Sequence, residues 1–561
     1  MPPLPQRSRV LAADGSLLAN LFLNEDRVIV PLTSVPQVMR DAVVGIEDSR
    51  FYEHHGVDYK GALRAFVTNS RAGAVRQGGS TLTQQYVKNV LLEKAQTSAQ
   101  RSAAAARTNT RKLQEARYAL ALEQRMPKDQ ILENYLNIAL FGNGVYGVGT
   151  AAQHYFSKPV DQLTLPEAAT LAGMVQNPSL FDPVRRPDTT RTRRDVVLAR
   201  MLQLNMITAD DEATASASPL VVRLSPARNG CEGSPAAYFC DWVVSSVQSD
   251  KALRAALGAN PQARLFQGGL TIRTTLDPKV QKAAQDAVDS TVGRASEFGT
   301  AVAVVAPGTG QVKAMAQNRD FGDPKDAKDK SRTKVNYSTG GSTGFQAGST
   351  FKVFTLATAL KQGIPLGLRL DAPPRYKSAT LNNPASGFYS NAEAGEGGVF
   401  DIPSATWKSV NTYYVQLEER TGVREVADTA ADLGVRLTER PTSKDGSFTL
   451  GTSSVSPLDM ANAYASIAAH GIHCDPLAVL SITDSQNRPI PVPPSQCRRV
   501  LPPGIADTMS WVLTGVISQG TGNPNADIGR PAAGKTGTTE EFRSAWFDGF
   551  TPDLAAKKSL A

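Results

Sequence analysis

Three short patterns in this sequence are suited to covalent chemistry on a serine. Ser349-Thr350-Phe351-Lys352 sets a hydroxyl and an amine three residues apart. On a helix they share a face, so the lysine can act as base for the serine. The pattern is cheap: it recurs at Ser331-Arg332-Thr333-Lys334, and Ser-x-Asn occurs at both Ser409-Val410-Asn411 and Ser485-Gln486-Asn487. Context separates the copies. Ser349 opens an apolar run through Val353, Phe354 and Leu356, whereas Ser331 lies in the charged stretch Asp326 to Lys334. Ser409 follows the helical Thr406-Trp407-Lys408, while Ser485 sits in a polar turn before Pro489. The third pattern, Lys535-Thr536-Gly537-Thr538, precedes an aromatic strand candidate at Ala545-Trp546-Phe547. S-x-x-K, an S-D-N-type segment and K-T-G together describe a serine acyl-enzyme site, here with Val410 in the middle of the second element.

A different chemistry is spelled earlier in the chain. Glu47-Asp48-Ser49-Arg50-Phe51-Tyr52-Glu53-His54-His55-Gly56 packs acids, a base and aromatics together, and a carboxylate lifted towards neutrality by partial burial can act there as a general base. A helix end with solvated charges explains the same letters. In Gly78-Gly79-Ser80-Thr81-Leu82-Thr83-Gln84-Gln85, two glycines open a polar turn into a helix, which suits phosphate oxygens or a plain N-cap at Ser80 or Thr81. Arg111 and Glu115 are four apart, so by themselves they read as a surface ion pair worth about 0.3 to 0.5 kcal/mol.

The elements that must position these residues follow from composition and periodicity. The chain has 561 residues, 41% hydrophobic and 20% charged, with a formal net charge of +8. That is length for about three or four core-bearing units and excludes a disordered, collagenous or disulfide-miniprotein class. Residues 31–205 read as mostly helical, as in Asp129 to Leu136 and Pro166 to Ala172. Residues 206–298 read as a linker region with a strand candidate at Gly269 to Thr275. From Gly299, strands at Ala301 to Val305 and Gln311 to Ala316, helices at Phe351 to Lys361 and Pro457 to His470, and a β run at Ser544 to Phe550 predict an α+β domain with an antiparallel sheet. The four cysteines fall in two close pairs, Cys231 with Cys240 and Cys474 with Cys497, in loop-like contexts that favour disulfides and a compartment outside the cytoplasm; four reduced thiols are the alternative. No apolar run of about 18 residues or secretory h-region is present, which taken alone points to the cytoplasm.

Order and spacing place the N-terminal motifs in a family. Glu47-Asp48 with Phe51, His54 and Gly56; Gly78 with Ser80-Thr81 and Thr83-Gln84-Gln85; Arg111-Lys112 with Glu115; Lys128 with Ile131-Leu132 and Tyr135-Leu136-Asn137; and Arg193 with Val197-Leu198 resemble the peptidoglycan glycosyltransferase domain of class A penicillin-binding proteins. The three serine-site motifs resemble the family's transpeptidase domain. The resemblance implies an all-α, lysozyme-like glycosyltransferase domain and an α+β transpeptidase domain with a central antiparallel sheet. Glu47 is then the base that deprotonates the acceptor 4-hydroxyl of lipid II, and Glu115 is a second carboxylate near the leaving pyrophosphate. Ser80, Thr81 and Gln84 belong to the substrate site, and Lys88, Arg111 and Lys112 hold the pyrophosphate. Ser349 becomes the nucleophile towards D-Ala-D-Ala, activated by Lys352, with Ser409 relaying protons. Asn411 binds the stem peptide, Lys535, Thr536 and Thr538 recognise its terminal carboxylate, and Gly537 keeps the strand edge clear. Ser349 and Thr538 backbone N–H groups form the oxyanion hole. The segment Gly451 to Ala465 matches as a structural element.

The same resemblance implies the remaining attributes. The transpeptidase needs no cofactor, no protein metal site is legible, and Mg2+ or Mn2+ can assist pyrophosphate departure. Expected partners are lipid II, nascent glycan strands, stem peptides, β-lactams as inhibitors, the membrane surface and other cell-wall synthesis or division proteins, with no nucleic acid. The run Arg185 to Arg200, six Arg against two Asp, suits an anionic lipid face or a solvated surface. The place of action is the outer face of the cytoplasmic membrane. Residues 1–30 read as a juxtamembrane stub lacking the family's membrane helix, and 299–561 as a transpeptidase domain short of its last strand and closing helix, with Trp546 to Phe550 left as an open edge. Alternatives are a glycosyltransferase alone, a non-catalytic remnant, or a serine β-lactamase or carboxypeptidase.

Overall fold

A computed structural model describes residues 4–61, 79–95, 97–106, 108–383, 386–393, 395–539 and 544–560. The chain divides into two compact units, one of 1–8, 20–229 and 262–270 and the other of 9–19, 230–261 and 271–561.

The first unit is helical. Gln37–Glu47 buries Met39, Ala42, Val43 and Val44 and packs against Leu165–Met174 and Pro187–Gln203. Leu82–Glu93 packs against Asn109–Glu123 and Lys128–Ile138. One apolar core joins them, from Leu32 through Tyr135 and Phe141 to Met201. Capping residues set the helix starts: Thr81 and Gln84 form a reciprocal capping box on Leu82–Glu93, and Thr164 and Glu167 do so on Leu165–Met174.

The second unit is built on a five-stranded antiparallel sheet in the order Ala533–Thr538, Ala545–Phe550, Ala555–Leu560, Thr300–Val305, Val312–Gln317. Pro278–Asp289 covers one face, setting Ala284 and Val288 on Val302, Val304, Ala314 and Ala316. Pro457–Ala468 packs on the same strands and therefore covers the other face, since strand side chains alternate. The expected open edge at Trp546 to Phe550 is not found. Ala555–Leu560 pairs along its whole length with Ala545–Phe550 and with Thr300–Val305, so Ala545–Phe550 is an interior strand. The Ala-Ala-Lys-Lys-Ser-Leu segment has no apolar alternation to announce a strand, because its buried face is Ala555, Lys557 and Ser559 and two of these three are polar.

Two expected boundaries also move. Part of the expected stub belongs to the second unit, where Arg9, Val10 and Leu11 pair in parallel with Thr271, Ile272 and Arg273. The expected linker is divided: Ala209–Ala217 extends the helical unit, where buried Arg194 bonds to Ser216 and Ser218 carbonyls at 2.9 and 2.8 Å. Residues 230–261 and 271–298 join the sheet-containing unit. Both cysteine pairs are disulfides, and Cys474 lies directly opposite Cys497 across two paired strands. No helix of the described residues is long and apolar enough to cross a membrane.

Candidate active site

The helical unit holds a cavity of about 620 Å³ lined by Glu47, Ser80, Gln84, Gln85, Lys88, Arg101, Lys112, Glu115, Tyr135 and Arg193. Glu47 is the last residue of Gln37–Glu47, whose buried face fixes where the carboxylate emerges. Its Oε2 accepts a 2.8 Å bond from Gln85 Nε2, and Gln85 Oε1 accepts from Tyr135 OH at 3.1 Å. Burial pushes the Glu47 carboxyl up, Gln85 and the Arg193 charge pull it back, and neighbouring Asp48 adds to the rise. A helix C-terminus disfavours the carboxylate in the same direction.

The surrounding motif residues position this carboxylate. Asp48 accepts from Leu82 N–H at 3.0 Å and is 2.9 Å from His54 Nε2, which ties the end of one helix to the start of the next. Thr81 Oγ1 donates to the Gly56 carbonyl at 2.7 Å. Gly56 has φ of +82°, and a Cβ there would lie 2.8 Å from the Ala119–Leu120 backbone, so only glycine admits the helix that carries Glu115. The N-cap reading of Thr81 therefore holds, and Gln84 shares it: the two side chains satisfy each other's backbone N–H groups, at 3.2 and 2.9 Å.

Glu115 is fully buried and bonded by Arg111, with Lys112 Nζ at 3.1 Å. The surface ion pair expected for Arg111 and Glu115 is thus a buried one. Lys112 also donates to Ser80 Oγ at 2.7 Å, which joins the second and third motifs at the cavity wall. Gly78 lies outside the described residues. Arg101 and Arg193 also line the cavity but were not among the predicted site residues; Arg193 sat in the fifth motif, whereas nothing local marks Arg101. The basic run Arg185 to Arg200 is not one surface: Arg194 is buried on backbone carbonyls, Arg193 lines the cavity and Arg185 is exposed. A second cavity of about 420 Å³ reaches Glu47 from the side of Ser49, Thr81 and Arg200.

In the other unit, Ser349 lies in a 3-10 turn, Gly348–Phe351, that feeds helix Lys352–Lys361. Ile402–Trp407 and Asn411–Thr421 flank a tight turn in which Ser409 adopts φ of +60°, a left-handed conformation that a serine holds only when its surroundings enforce it. Lys352 Nζ lies 2.5 Å from the Ser409 carbonyl oxygen, 3.2 Å from Ser409 Oγ and 2.7 Å from Asn411 Oδ1. Lys535 Nζ donates to the same Ser409 Oγ at 2.8 Å. The direct Lys352-to-Ser349 bond suggested by the spacing is not formed; Lys352 is engaged by Ser409 and Asn411.

Both lysines are fully buried. Burial lowers Lys535 to about 7. Burial and the Lys535 charge hold Lys352 well below the ordinary lysine range, partly opposed by Glu396. Asn411 Nδ2 donates to Ser390 O at 2.9 Å, pinning the segment beside the site. Gly537 lies on the edge strand of the sheet, and a Cβ there would lie 2.7 Å from the Ala347 carbonyl and 2.8 Å from Thr350. The Lys-Thr-Gly strand and the nucleophile turn thus meet backbone to backbone. Tyr464 OH donates to Thr350 O at 2.8 Å, and Gly348 N donates to Gly451 O at 3.2 Å, which gives the Gly451 to Ala465 segment its structural part. Thr536 and Thr538 stand on the same strand as Lys535. The decoys do not converge: Ser331 bonds to Asp329 at 2.5 Å, Lys334 pairs with Asp323 at 2.6 Å, and Asn487 lies in the Asp484 turn.

Fold and geometry define a protein with two separate centres, a carboxylate and cation cavity in a helical unit and a serine, lysine and asparagine centre beside an antiparallel sheet. The Transglycosylase family profile matches residues 14–202, and the penicillin-binding protein transpeptidase domain profile matches 300–560. Penicillin-binding protein 1A of Mycolicibacterium smegmatis is 34% identical over 98% of this chain and 68% of its own length. Penicillin-binding protein 1A of Mycobacterium tuberculosis is 33% identical over 98% of this chain and 65% of its own, so the chain spans about two thirds of these relatives. Penicillin-binding protein 2D of Bacillus subtilis is 30% identical over 99% and 76%. The crystal structure of penicillin-binding protein 1A from Haemophilus influenzae shares the fold, with a TM-score of 0.63 at 18% identity over 100% of this chain and 88% of that one. The chain belongs to the class A penicillin-binding proteins, bifunctional glycosyltransferases and transpeptidases of peptidoglycan synthesis, and carries both of their catalytic domains.

Proposed function

We propose that this chain polymerises lipid II through Glu47 and cross-links stem peptides through Ser349, on the outer face of the cytoplasmic membrane. The convergence of Glu47, Lys88, Lys112, Glu115 and Arg193 on one cavity carries the first activity. Glu47 takes the acceptor 4-hydroxyl proton as that oxygen attacks the donor's anomeric carbon, and the raised carboxyl suits a base working near neutral pH. Lys88 and Lys112 face the charge that builds on the departing pyrophosphate, where fixed cations act most strongly. Arg111 reaches that charge through Glu115, which it holds.

Among the described residues no three His, Cys, Asp or Glu side chains gather as metal ligands; Glu115, in the same cavity as Lys88 and Lys112, is the carboxylate that would join a pyrophosphate in holding Mg2+ or Mn2+.

In the second activity Ser349 Oγ attacks the D-Ala-D-Ala carbonyl and expels the terminal D-alanine; an acceptor amine then releases the acyl group. Low-pKa Lys352 is the proton acceptor, and Ser409, held by both lysines, passes the proton to the leaving amine. The N–H groups of Ser349 and Thr538 stabilise the oxyanion, each worth about 3 kcal/mol. β-Lactams acylate the same serine. The test is paired: the parent chain extends fluorescent lipid II and takes up fluorescent penicillin. Glu47→Gln abolishes only polymerisation, and Ser349→Ala only labelling. Polymerisation that survived Glu47→Gln, or labelling that survived Ser349→Ala, would refute the corresponding assignment.

A further inference from the structure

Thr536 carries a contact that the three motifs do not account for. Its Oγ1 lies 2.5 Å from Thr521 Oγ1, in a turn that follows helix Pro503–Ser518. Thr521 is exposed and Thr536 half-buried, so both hydroxyls are open to a ligand.

The Thr521 turn is fixed from behind by one residue, Trp407, through its carbonyl and its indole. Thr521 N–H donates to the Trp407 carbonyl at 3.0 Å, and Trp407 Nε1 donates to the Val512 carbonyl at 2.9 Å. Gly515 and Gly520 leave no room for a Cβ against Trp407. Gly522 N–H bonds back to Val516 O at 2.9 Å, and Asn523 Nδ2 to Ser518 O at 2.6 Å. Trp407 ends the helix that leads into Ser409, so one residue joins that helix end, through its carbonyl, to the Thr521 turn and, through its indole, to helix Pro503–Ser518.

We infer that Thr521 is a positioning residue for carboxylate recognition: it donates its proton to Thr536 Oγ1 and so leaves the Thr536 proton free to donate to the C-terminal carboxylate of the stem peptide. The inference rests on the reading of Thr536 given above. Two hydroxyls at this separation share one proton. If Thr536 donates to Thr521, its oxygen has only lone pairs left and repels a carboxylate. If Thr521 donates, the Thr536 proton is released and polarised, and an anionic ligand selects this arrangement. A valine at 521 keeps the shape and removes the donor that polarises and orients the Thr536 hydroxyl, so the free Thr536 proton binds the carboxylate more weakly.

The test compares Thr521→Val, Thr521→Ser and Thr536→Val on two acyl-D-alanyl thioesters, one whose leaving group ends in a carboxylate and one with that carboxylate amidated. Thr521→Val should lower kcat/KM for the carboxylate form by about fivefold to tenfold, mainly through KM, and leave the amide within about twofold. Thr521→Ser should restore the parent value. An equal loss on both substrates, or no loss on either, overturns the role. Should Thr521→Val not fold, Thr521→Ala in place of it gives the same two-substrate comparison. If Thr536→Val fails to discriminate between the substrates, the reading of Thr536 falls and the Thr521 role with it. If Thr536→Val discriminates and Thr521→Val does not, only the Thr521 role falls.

Discussion

The two centres use burial in opposite directions to reach a similar end. In the helical unit the reacting group is an acid, and desolvation raises Glu47 towards neutrality while Gln85 and Arg193 keep it ionisable. Beside the sheet the reacting groups are bases, and desolvation lowers Lys352 and Lys535. The difference lies in how dry each centre is. Glu47 is half-buried at an open cavity and Ser349 half-buried at its turn, whereas both lysines behind Ser349 are fully buried and lowered chiefly by desolvation. An open cavity suits a long polyprenyl-linked donor, and buried amines behind a half-buried serine suit proton transfer during an acyl transfer.

The sharpest break in the comparison removes one reacting group at a time. Glu47→Gln should lower polymerisation by about 10² to 10⁴ with penicillin labelling intact, as a lost general base does. Next in size is the buried charge pair on the sheet. Asp548 and Lys557 are register partners on adjacent strands and both are fully buried, so burial pushes the Asp548 carboxyl up to about 7 and Lys557 well below the ordinary lysine range while each charge favours the other. Asp548→Val or Lys557→Val alone should destabilise by about 3 to 5 kcal/mol, and the double variant should recover most of it. Additive losses in chemical unfolding would show that the pair is not coupled.

Disulfide chemistry also separates the units, since both bridges lie in the sheet-containing one. Replacing Cys474 and Cys497 by serine should cost that unit about 3 kcal/mol and leave lipid II polymerisation unchanged. A fall in polymerisation would show that the units are not independent in this respect. Smaller still is the Gln85 effect. Glu47 acts as base only when ionised, so its raised carboxyl places the acidic limb of the polymerisation profile above the ordinary carboxylate range. Gln85→Leu, which removes a bond favouring the ion, should move that limb up by about one pH unit. A limb that moved down would reverse the sign assigned to that bond. Smallest is the half-exposed Lys158–Glu167 pair at 2.8 Å, where Lys158→Met should cost under about 1 kcal/mol in thermal unfolding.

The helical unit was largely legible because its signals are local. Capping boxes, periodic apolar faces and ordered motifs are written within a few residues of the groups they place, as at Thr81, Gln84 and Glu47. The sheet was legible in part. Thr300–Val305 and Val312–Gln317 announce themselves by β-branched and apolar runs, whereas Ala555–Leu560 does not: its place depends on strands more than two hundred residues earlier in the chain. The site residues divide in the same way. Ser349, Lys352, Ser409 and Lys535 follow from motifs, but Thr521 and Trp407 carry no motif that their neighbours in sequence would reveal.

By itself, then, the sequence determined the residue types the chemistry needs, the order of the two domains and their fold classes. These rest on spacing, and spacing is a property of the chain. Only the tertiary structure decided which groups share a dry space: that Lys352 bonds to Ser409 and not to Ser349, that Arg193 faces Glu47, and that Ala555–Leu560 closes the sheet. A pKa, a proton path or a strand pairing depends on distance and on excluded water, and folding brings together residues that the chain keeps apart.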